Sequence, residues 1–323
     1  MDGGLVVDLS PMKLVDVDPK RRIARAEAGA ALADFDAATA QFGLATTMGI
    51  NSFTGIAGLT LGGGFGRLAR LHGLACDNLL AAEMVPADGR RVSVSAGEHP
   101  DLFWGIRGGG GKFGIVTAFT YRLHRCRPQI LGGMLLHEFS SAPCVLRFYR
   151  DFCAAAGNAV SADAVFMTMP EGSAWWRSRS VTRARSSGGE RALSALRSFG
   201  PPVADLIRPV AYPALQASAD ALFVRGRRYY WKAHLLDELS DDAIDALAAG
   251  YAHATSPLSL IALQQAGGAI SRVPADATAY FNRDAEYNCV SAAIWEDPSE
   301  DAHHAAWVRA VADTVRPFAN GGV

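Results

Sequence analysis

Thr54-Gly55-Ile56-Ala57-Gly58-Leu59-Thr60-Leu61-Gly62-Gly63-Gly64-Phe65-Gly66 carries more information about this chain than any other stretch, and His72-Gly73-Leu74-Ala75-Cys76-Asp77-Asn78 continues it. Its counterpart, Asp101-Leu102-Phe103-Trp104-Gly105-Ile106-Arg107-Gly108-Gly109-Gly110-Gly111-Lys112-Phe113-Gly114-Ile115-Val116-Thr117, starts after the short strand pair that follows. Both clusters are bordered by regular apolar sequence, so they are tight loops of a packed domain rather than linkers. Glycine admits positive φ and lets the backbone approach a ligand closely. Two such loops converging in one domain predict a cradle for an extended cofactor that carries a pyrophosphate.

The rest of the chain sets bounds on that reading. With 323 residues, half of them apolar, it has material for two domains with real cores. Thirty-one Lys plus Arg against 32 Asp plus Glu leave a formal charge of -1, which excludes a charge-driven nucleic-acid or membrane partner and points to a small molecule. No apolar run is long enough to span a bilayer, and Met1-Asp2-Gly3-Gly4 does not open a signal peptide, so a cytoplasmic location is expected. Cys76, Cys126, Cys144, Cys153 and Cys289 form no Cys-x-x-Cys pair and read as reduced and mostly buried.

Local pattern then divides the chain. Leu5–Leu9 and Ile23–Ala28 read as a hairpin-like start with turn chemistry at Asp16–Pro19, and Leu32, Phe35, Ala38 and Phe42 have helical spacing ending at Gly43. Asn78–Val85 and Val92–Val94 form a strand pair about the turn Pro86-Ala87-Asp88-Gly89, Pro100 opens a short helix, and Ile115–Leu123 alternates as a strand, with Ile115, Thr117, Phe119, Tyr121 and Leu123 on one face. The first domain is therefore expected over residues 1–124 and a second over 125–323. In the second, Val145–Ala156, Arg191–Phe199 and Asp241–Ala254 read as helices, Val165–Met169, Phe223–Leu235 and Tyr287–Trp295 as strands, and Arg177–Arg191 as an exposed loop. The class is α+β, the second domain an antiparallel sheet with covering helices.

The two glycine-rich stretches, in order and spacing over roughly residues 3–124, resemble the FAD-binding domain of the berberine-bridge-enzyme-like oxidoreductases, which are vanillyl-alcohol-oxidase/PCMH-type flavoproteins. Phe281–Tyr287 and Trp295-Glu296-Asp297-Pro298 are similar to the second domain more loosely. The resemblance implies FAD lined by Asn51, Thr54, Gly55, Gly58, Gly62, Gly63, Gly64, Gly66, His72, Gly73, Asp77, Asn78, Gly111, Gly114, Ile115 and Val116. The amides of Gly55, Gly58 and Gly62 to Gly64 are then candidate donors to the diphosphate. Asp77 and Asn78 either reach the cofactor or hold the loop with their own side chains, and His72 either nears the flavin or packs on its neighbours.

The implied activity is an FAD-dependent oxidoreductase: hydride passes from a small alcohol, sugar or secondary metabolite to flavin N5, and O2 reoxidises the flavin. Arg283 and Tyr287 are the candidates for orienting substrate, with a structural sheet role as the alternative. Many members of that family tie the flavin to a histidine in a more N-terminal loop, a region that would lie before Met1; the cysteine that some add corresponds to Asn51. The family's Tyr-x-Asn strand would lie beyond Val323, and Tyr280-Phe281-Asn282 has its letters in another context. The alternative is therefore a truncated, catalytically incompetent flavoprotein.

Other patterns mimic function. Gly64-Phe65-Gly66-Arg67-Leu68-Ala69 satisfies the permissive G-x-G-x-x-A fingerprint with Glu83 downstream, so a nicotinamide-dependent dehydrogenase is a minor alternative; Gly55 and Gly58 interrupt the strand such a fingerprint needs. His303-His304 point about 100° apart on a helix and are expected to face solvent rather than hold a metal. Arg225, Arg227 and Arg228 beside Tyr229, Tyr230 and Trp231 read as a two-faced strand rather than a nucleic-acid surface.

Overall fold

The computed structural model describes residues 3–168, 174–182 and 193–321. In chain order the elements are β1 (Val15–Asp18), β2 (Ile23–Glu27), α1 (Leu32–Ala40), β3 (Leu44–Ala45), α2 (Ile56–Leu61), α3 (Ala69–His72), β4 (Leu79–Val85), β5 (Val92–Ser95), α4 (Pro100–Gly105), β6 (Ile115–Arg122) and β7 (His124–Arg125). Next come β8 (Ile130–Glu138), α5 (Ala142–Ala155), β9 (Val160–Thr168), β10 (Ala174–Thr182), α6 (193–197), β11 (Ala204–Asp205), β12 (Arg208–Val210) and α7 (Tyr212–Gln216). The chain ends with β13 (Arg228–Leu236), α8 (Asp241–Ala252), β14 (Leu260–Gln265), β15 (Tyr287–Trp295) and α9 (Asp301–Val315).

Two compact units result. The first comprises Met1–Pro128 together with two later segments, Ala211–Asp220 and Arg272–Arg283; the second holds the remainder. A division after residue 124 was expected, and the two returning segments were not.

The first unit is built on a five-stranded antiparallel sheet in the order β1-β2-β6-β4-β5. Its opening hairpin turns at Asp18, whose carboxylate accepts from the Arg21 amide (2.8 Å). Alternation in β2 buries Ala24 and Ala26 and leaves Arg25 free to pair with Glu83 (2.6 Å). The expected first strand, Leu5–Leu9, is not one: Leu5 and Val6 are almost fully exposed, and the strand is β1 instead. β6 is buried on both faces in its middle, at Ala118 and Phe119, and its pairing with β4 is irregular, with an extra residue in β4 at Leu80 and one in β6 at Thr117; Phe119, Tyr121 and Leu123 lie inside as expected, but Ile115 is exposed and Val116 and Ala118 are buried. α1 buries Leu32 and Phe35 and ends at Ala40, so Phe42 lies beyond it and is exposed.

The second unit is an antiparallel sheet in the order β11-β8-β10-β9-β14-β15-β13, with β12 also on β8. Period-two alternation sends Ala162, Ala164, Phe166, Ile261, Leu263, Tyr287, Cys289 and Ala293 to one face, where they meet Leu146 and Tyr149 of α5, Ile244 and Leu247 of α8 and Val308 and Val311 of α9. Helix α8 starts where the Ser240 hydroxyl accepts from the Ala243 amide (3.2 Å). The stretch expected to be an exposed loop contributes β10 as far as Thr182, paired on both sides; its residues 183–191 lie outside the described residues, as do Met169 of the expected strand and Arg191 and Ala192 of the expected helix. His304 also departs from expectation. It is buried, with Nδ1 2.8 Å from the Thr255 hydroxyl, while His303 is exposed. None of the five cysteines forms a disulfide among the described residues. Among the described residues no helix is long and apolar enough to cross a membrane.

Candidate cofactor site

Helix α2 is the centre of the first unit's site, and its two sides are unlike. Ile56, Thr60 and Leu61 face inward, and the Thr60 hydroxyl lies 2.7 Å from the Tyr121 hydroxyl of β6, which anchors the helix to the sheet. Gly55, Gly58 and Gly62 fall at helical spacing on the opposite side, and all three are exposed. A Cβ placed on Gly55 or Gly58 would meet nothing within 4 Å, and one on Gly62 nothing closer than 3.4 Å. The result is a helix with one bald face against which a flat molecule can lie.

The second cluster joins this helix through one carbonyl. Leu61 O accepts from the amides of Gly108 (3.1 Å) and Gly110 (2.9 Å), so the two glycine-rich stretches share a seam. Gly111 is likewise open, its nearest neighbour to a Cβ being Leu61 Cδ1 at 4.0 Å. Into the seam comes Tyr280, from the segment Arg272–Arg283: a Cβ on Gly63 would lie 2.7 Å from the Tyr280 ring, and one on Gly108 2.5 Å from its Cβ and backbone nitrogen. Gly63 and Gly108 adopt φ of 109° and 113°, so a side chain there is excluded by backbone strain as well as by contact. Trp104 Nε1 donates to Asp276 O (2.7 Å), Arg107 Nη2 to Ala277 O (2.8 Å) and the Tyr280 amide to Arg107 O (3.2 Å), which stitches this segment to α4 and the loop after it.

The glycines thus sort into two groups. Gly55, Gly58, Gly62 and Gly111 are open outward. Gly63, Gly64, Gly66, Gly73 and Gly114 are closed by the protein itself: a Cβ on Gly64 would meet that of Ala75 at 2.4 Å, on Gly66 the Met48 carbonyl oxygen at 1.5 Å, on Gly73 the Asp77 carboxylate at 2.8 Å and on Gly114 the Val85 carbonyl oxygen at 2.6 Å. The amides of Gly62 and Gly63 donate to Gly58 O (3.2 Å) and Thr60 O (3.1 Å), so the expected donation to a diphosphate narrows to the other glycines. This geometry also removes the nicotinamide alternative, because the element before Gly64-Phe65-Gly66 is α2 rather than a strand and neither Gly64 nor Gly66 is open to a ligand.

Asp77, Asn78 and His72 hold the loop that follows. Asp77 Oδ2 and Oδ1 accept from Arg283 Nη1 and Nη2, each at 2.8 Å, in a bidentate pair that is almost fully buried, and Oδ2 also accepts from the Leu74 amide (2.8 Å). Arg283 donates further to the Thr278 hydroxyl (2.5 Å). Asn78 Nδ2 donates to His72 O (3.0 Å) and Leu74 O (2.8 Å), which leaves its Oδ1 to accept from His124 Nε2 (2.7 Å); the His124 ring stacks on His72 with centroids 3.7 Å apart. Between them, burial and the adjacent Asp77 push the Cys76 thiol up to about 12, so it is no nucleophile.

The substrate-orienting candidates take other places. Arg283 lies before β15, not in it, and its guanidinium is committed to Asp77 inside the first unit. Tyr287 points to the helix-covered side of the second unit's sheet, its ring 6.0 Å from that of Tyr149, a packing position. One residue on, Asn288 takes the other face, where its Nδ2 donates to Gln264 Oε1 (2.7 Å) in register with Asp163 of β9.

Known proteins share this architecture and, in part, this sequence. Residues 1–95 match the family model of the FAD binding domain. An FAD-linked oxidoreductase of Dictyostelium discoideum is 30% identical over 99% of this chain and 70% of its own length. The chain belongs to the FAD-linked oxidoreductases. Among solved structures, 6-hydroxy-D-nicotine oxidase from Arthrobacter nicotinovorans superposes with a TM-score of 0.85 at 24% identity, covering 100% of this chain and 73% of that one. Berberine bridge enzyme from Eschscholzia californica gives 0.84 at 20%, covering 97% and 66%. At those identities the two structures speak for the fold.

FAD is therefore the cofactor of this oxidoreductase, and the residues present fit it. The open glycine face would accommodate a planar ring system without steric conflict, and beside it Asn51 Oδ1 is a buried acceptor without a donor among the described residues. Thr54 stands at the foot of α2, its carbonyl taken by the Leu32 amide (2.9 Å), and Ile115 at the exposed start of β6. Gln216 and Asp220 were missed in the sequence, where no local pattern marks them, and Tyr280 was named without this role; all three reach the glycine-rich loops from two distant segments. The one available signal was the Tyr280-Phe281-Asn282 triplet, read for its letters.

Proposed function

We propose that this chain binds FAD along the seam between its two glycine clusters and oxidises a small hydroxylated or amine-bearing molecule, with O2 as the electron acceptor. The observation that carries this reading is the side-chain-free face of α2, joined to the second cluster by the two hydrogen bonds that the Gly108 and Gly110 amides donate to Leu61 O. Gly55, Gly58, Gly62 and Gly111 offer the surface, Asn51 and Thr54 border it, and Val116, Gly114 and the buried Gly63, Gly64, Gly66 and Gly73 form the packed backing. When bound, FAD supplies a two-electron acceptor able to take a hydride from carbon.

The remaining chemistry falls to the protein. Tyr280 fills the seam at Gly63 and Gly108, and burial raises its phenol pKa, so at neutral pH it is a hydroxyl donor and not a base. The Asp77–Arg283 pair neutralises its own charge and keeps the wall behind Tyr280 rigid. In the second unit, Asp163, Gln264 and Asn288 form a polar row on the sheet face opposite the helices, suited to the hydroxyls or ring nitrogens of a small substrate. The nicotine-derived ring in the name of the similar oxidase is one chemistry of that kind.

The test mixes the flavin-loaded chain anaerobically with secondary alcohols, aldoses and cyclic amines and follows the visible flavin band. The expected result is bleaching by at least one class and recovery in air with formation of peroxide. A bound flavin that none of these reduces, and that air fails to reoxidise after chemical reduction, contradicts the proposal.

A further inference from the structure

The loop Met48–Thr54, which delivers the chain to α2 and carries Asn51, is held by few bonds of its own. Thr54 N–H reaches Asn51 O at 3.2 Å, and the amides of Leu32 and Ala33 reach Thr54 O and Ser52 O. Its other restraints come from a segment more than 150 residues away in the chain, Ala211–Asp220, which belongs to the same compact unit. Gln216 is buried, and its Nε2 donates to Gly49 O (2.8 Å). Asp220 takes two bonds from one residue: its Oδ1 accepts from the Ser52 amide (2.9 Å) and its Oδ2 from the Ser52 hydroxyl.

Behind Gln216 lies a polar cluster that a core does not need. Asp36 of α1, Arg67 of the loop after the triple glycine and Tyr212 of α7 are each at least 95% buried and electrostatically coupled, and Asp36 also interacts with Gln216. Apolar residues of similar size would pack there at lower cost, so what such a cluster adds is a fixed geometry. Within it Asp36 is the member that interacts with Gln216, and Gln216 Nε2 holds Gly49 O.

We infer that the segment Ala211–Asp220 sets the conformation of the Met48–Thr54 loop, and that Gln216 and Asp220 are positioning residues for the flavin, acting through Gly49 and Ser52. This rests on the cofactor reading above. Neither residue touches the glycine face; each determines where Asn51 and the start of α2 stand relative to it.

The experiment measures FAD dissociation constants and the absorption spectrum of bound FAD for the full chain and for Asp220→Ala, Asp220→Asn, Ser52→Ala and Gln216→Leu, with thermal melting of the flavin-free proteins alongside. Asp220→Ala is expected to weaken FAD binding about tenfold, the worth of one hydrogen bond to a charged group, and to shift the flavin band. Asp220→Asn keeps an acceptor for the Ser52 amide and is expected to recover most of the affinity. Ser52→Ala in the Asp220→Ala background should add little. If Asp220→Ala does not fold, the asparagine and serine variants carry the same comparison. Weakening below twofold with an unchanged spectrum, or an asparagine variant as impaired as the alanine one, overturns the inference while leaving FAD binding intact. Failure of the unaltered chain to bind FAD overturns the cofactor reading, and this inference with it.

Discussion

Replacing Arg283 by alanine tests the core of the cofactor site's architecture. The guanidinium is 1% exposed and makes two 2.8 Å bonds to Asp77, whose carboxylate would be left buried with the Leu74 amide (2.8 Å) and the Cys76 thiol (3.7 Å) as its remaining partners. Breaking a buried pair from one side costs about 3–5 kcal/mol, because the surviving charge stays out of water. That is a large part of the roughly 5–15 kcal/mol that holds a typical domain folded. Arg283→Lys keeps the charge but not the fork and should lie between the two. The double variant Asp77→Leu with Arg283→Met removes both charges and should return to within about 2 kcal/mol of the original stability. The assay is urea unfolding read by hydrogen exchange, with peptides of the first unit followed separately from those of the second. An Arg283→Ala loss under about 1 kcal/mol in the first unit, or a double variant no more stable than the single one, would refute the reasoning.

Three further outcomes are expected. Gly63→Ala puts a Cβ 2.7 Å from the Tyr280 ring at a φ of 109°, and should cost about 2 kcal/mol or more in a urea melt. Burial raises the Asp36 carboxyl from 3.8 to about 7, against the opposing effects of Gln216 and Arg67. The folded chain therefore keeps a proton that the unfolded chain releases between those values. Stability should fall as pH rises from 3.8 to about 7, by on the order of 3 kcal/mol, and Asp36→Asn should flatten that slope; an unchanged slope counts against it. Tyr287→Phe keeps the ring against Tyr149, so turnover should stay within about threefold of the original, under 1 kcal/mol in barrier; a hundredfold loss would restore Tyr287 as a substrate contact.

What the sequence disclosed was local. The turn Pro86-Ala87-Asp88-Gly89 between β4 and β5 and the proline opening α4 were legible because a few neighbouring residues determine them. Leu5–Leu9 misled, since an apolar run says nothing about whether a partner strand exists. Tyr287 was placed in the right strand, but its face depends on a pairing with β13 and β14 that its letters do not contain. The site was half legible. The glycines announced themselves, yet whether each opens to a ligand or closes on a neighbour is set by Tyr280, Ala75 and Met48, contacts made across the fold. The segment Ala211–Asp220 left no trace, and Arg272–Arg283 only the Tyr280-Phe281-Asn282 triplet and Arg283 itself, because both join the first unit by bonds between residues far apart in the chain.

The most direct test of the cofactor seam is Gly58→Val. Its Cβ would touch nothing within 4 Å in the protein, so the added side chain projects outward from the open face of α2. Titration of the purified chain with FAD, followed by flavin fluorescence, should give one site per chain for the original protein. The valine variant should melt within a few degrees of the original, the cost of valine for glycine in an exposed helix being under about 1 kcal/mol, and should lose that binding. A valine variant that takes up FAD as tightly as the original would contradict the account.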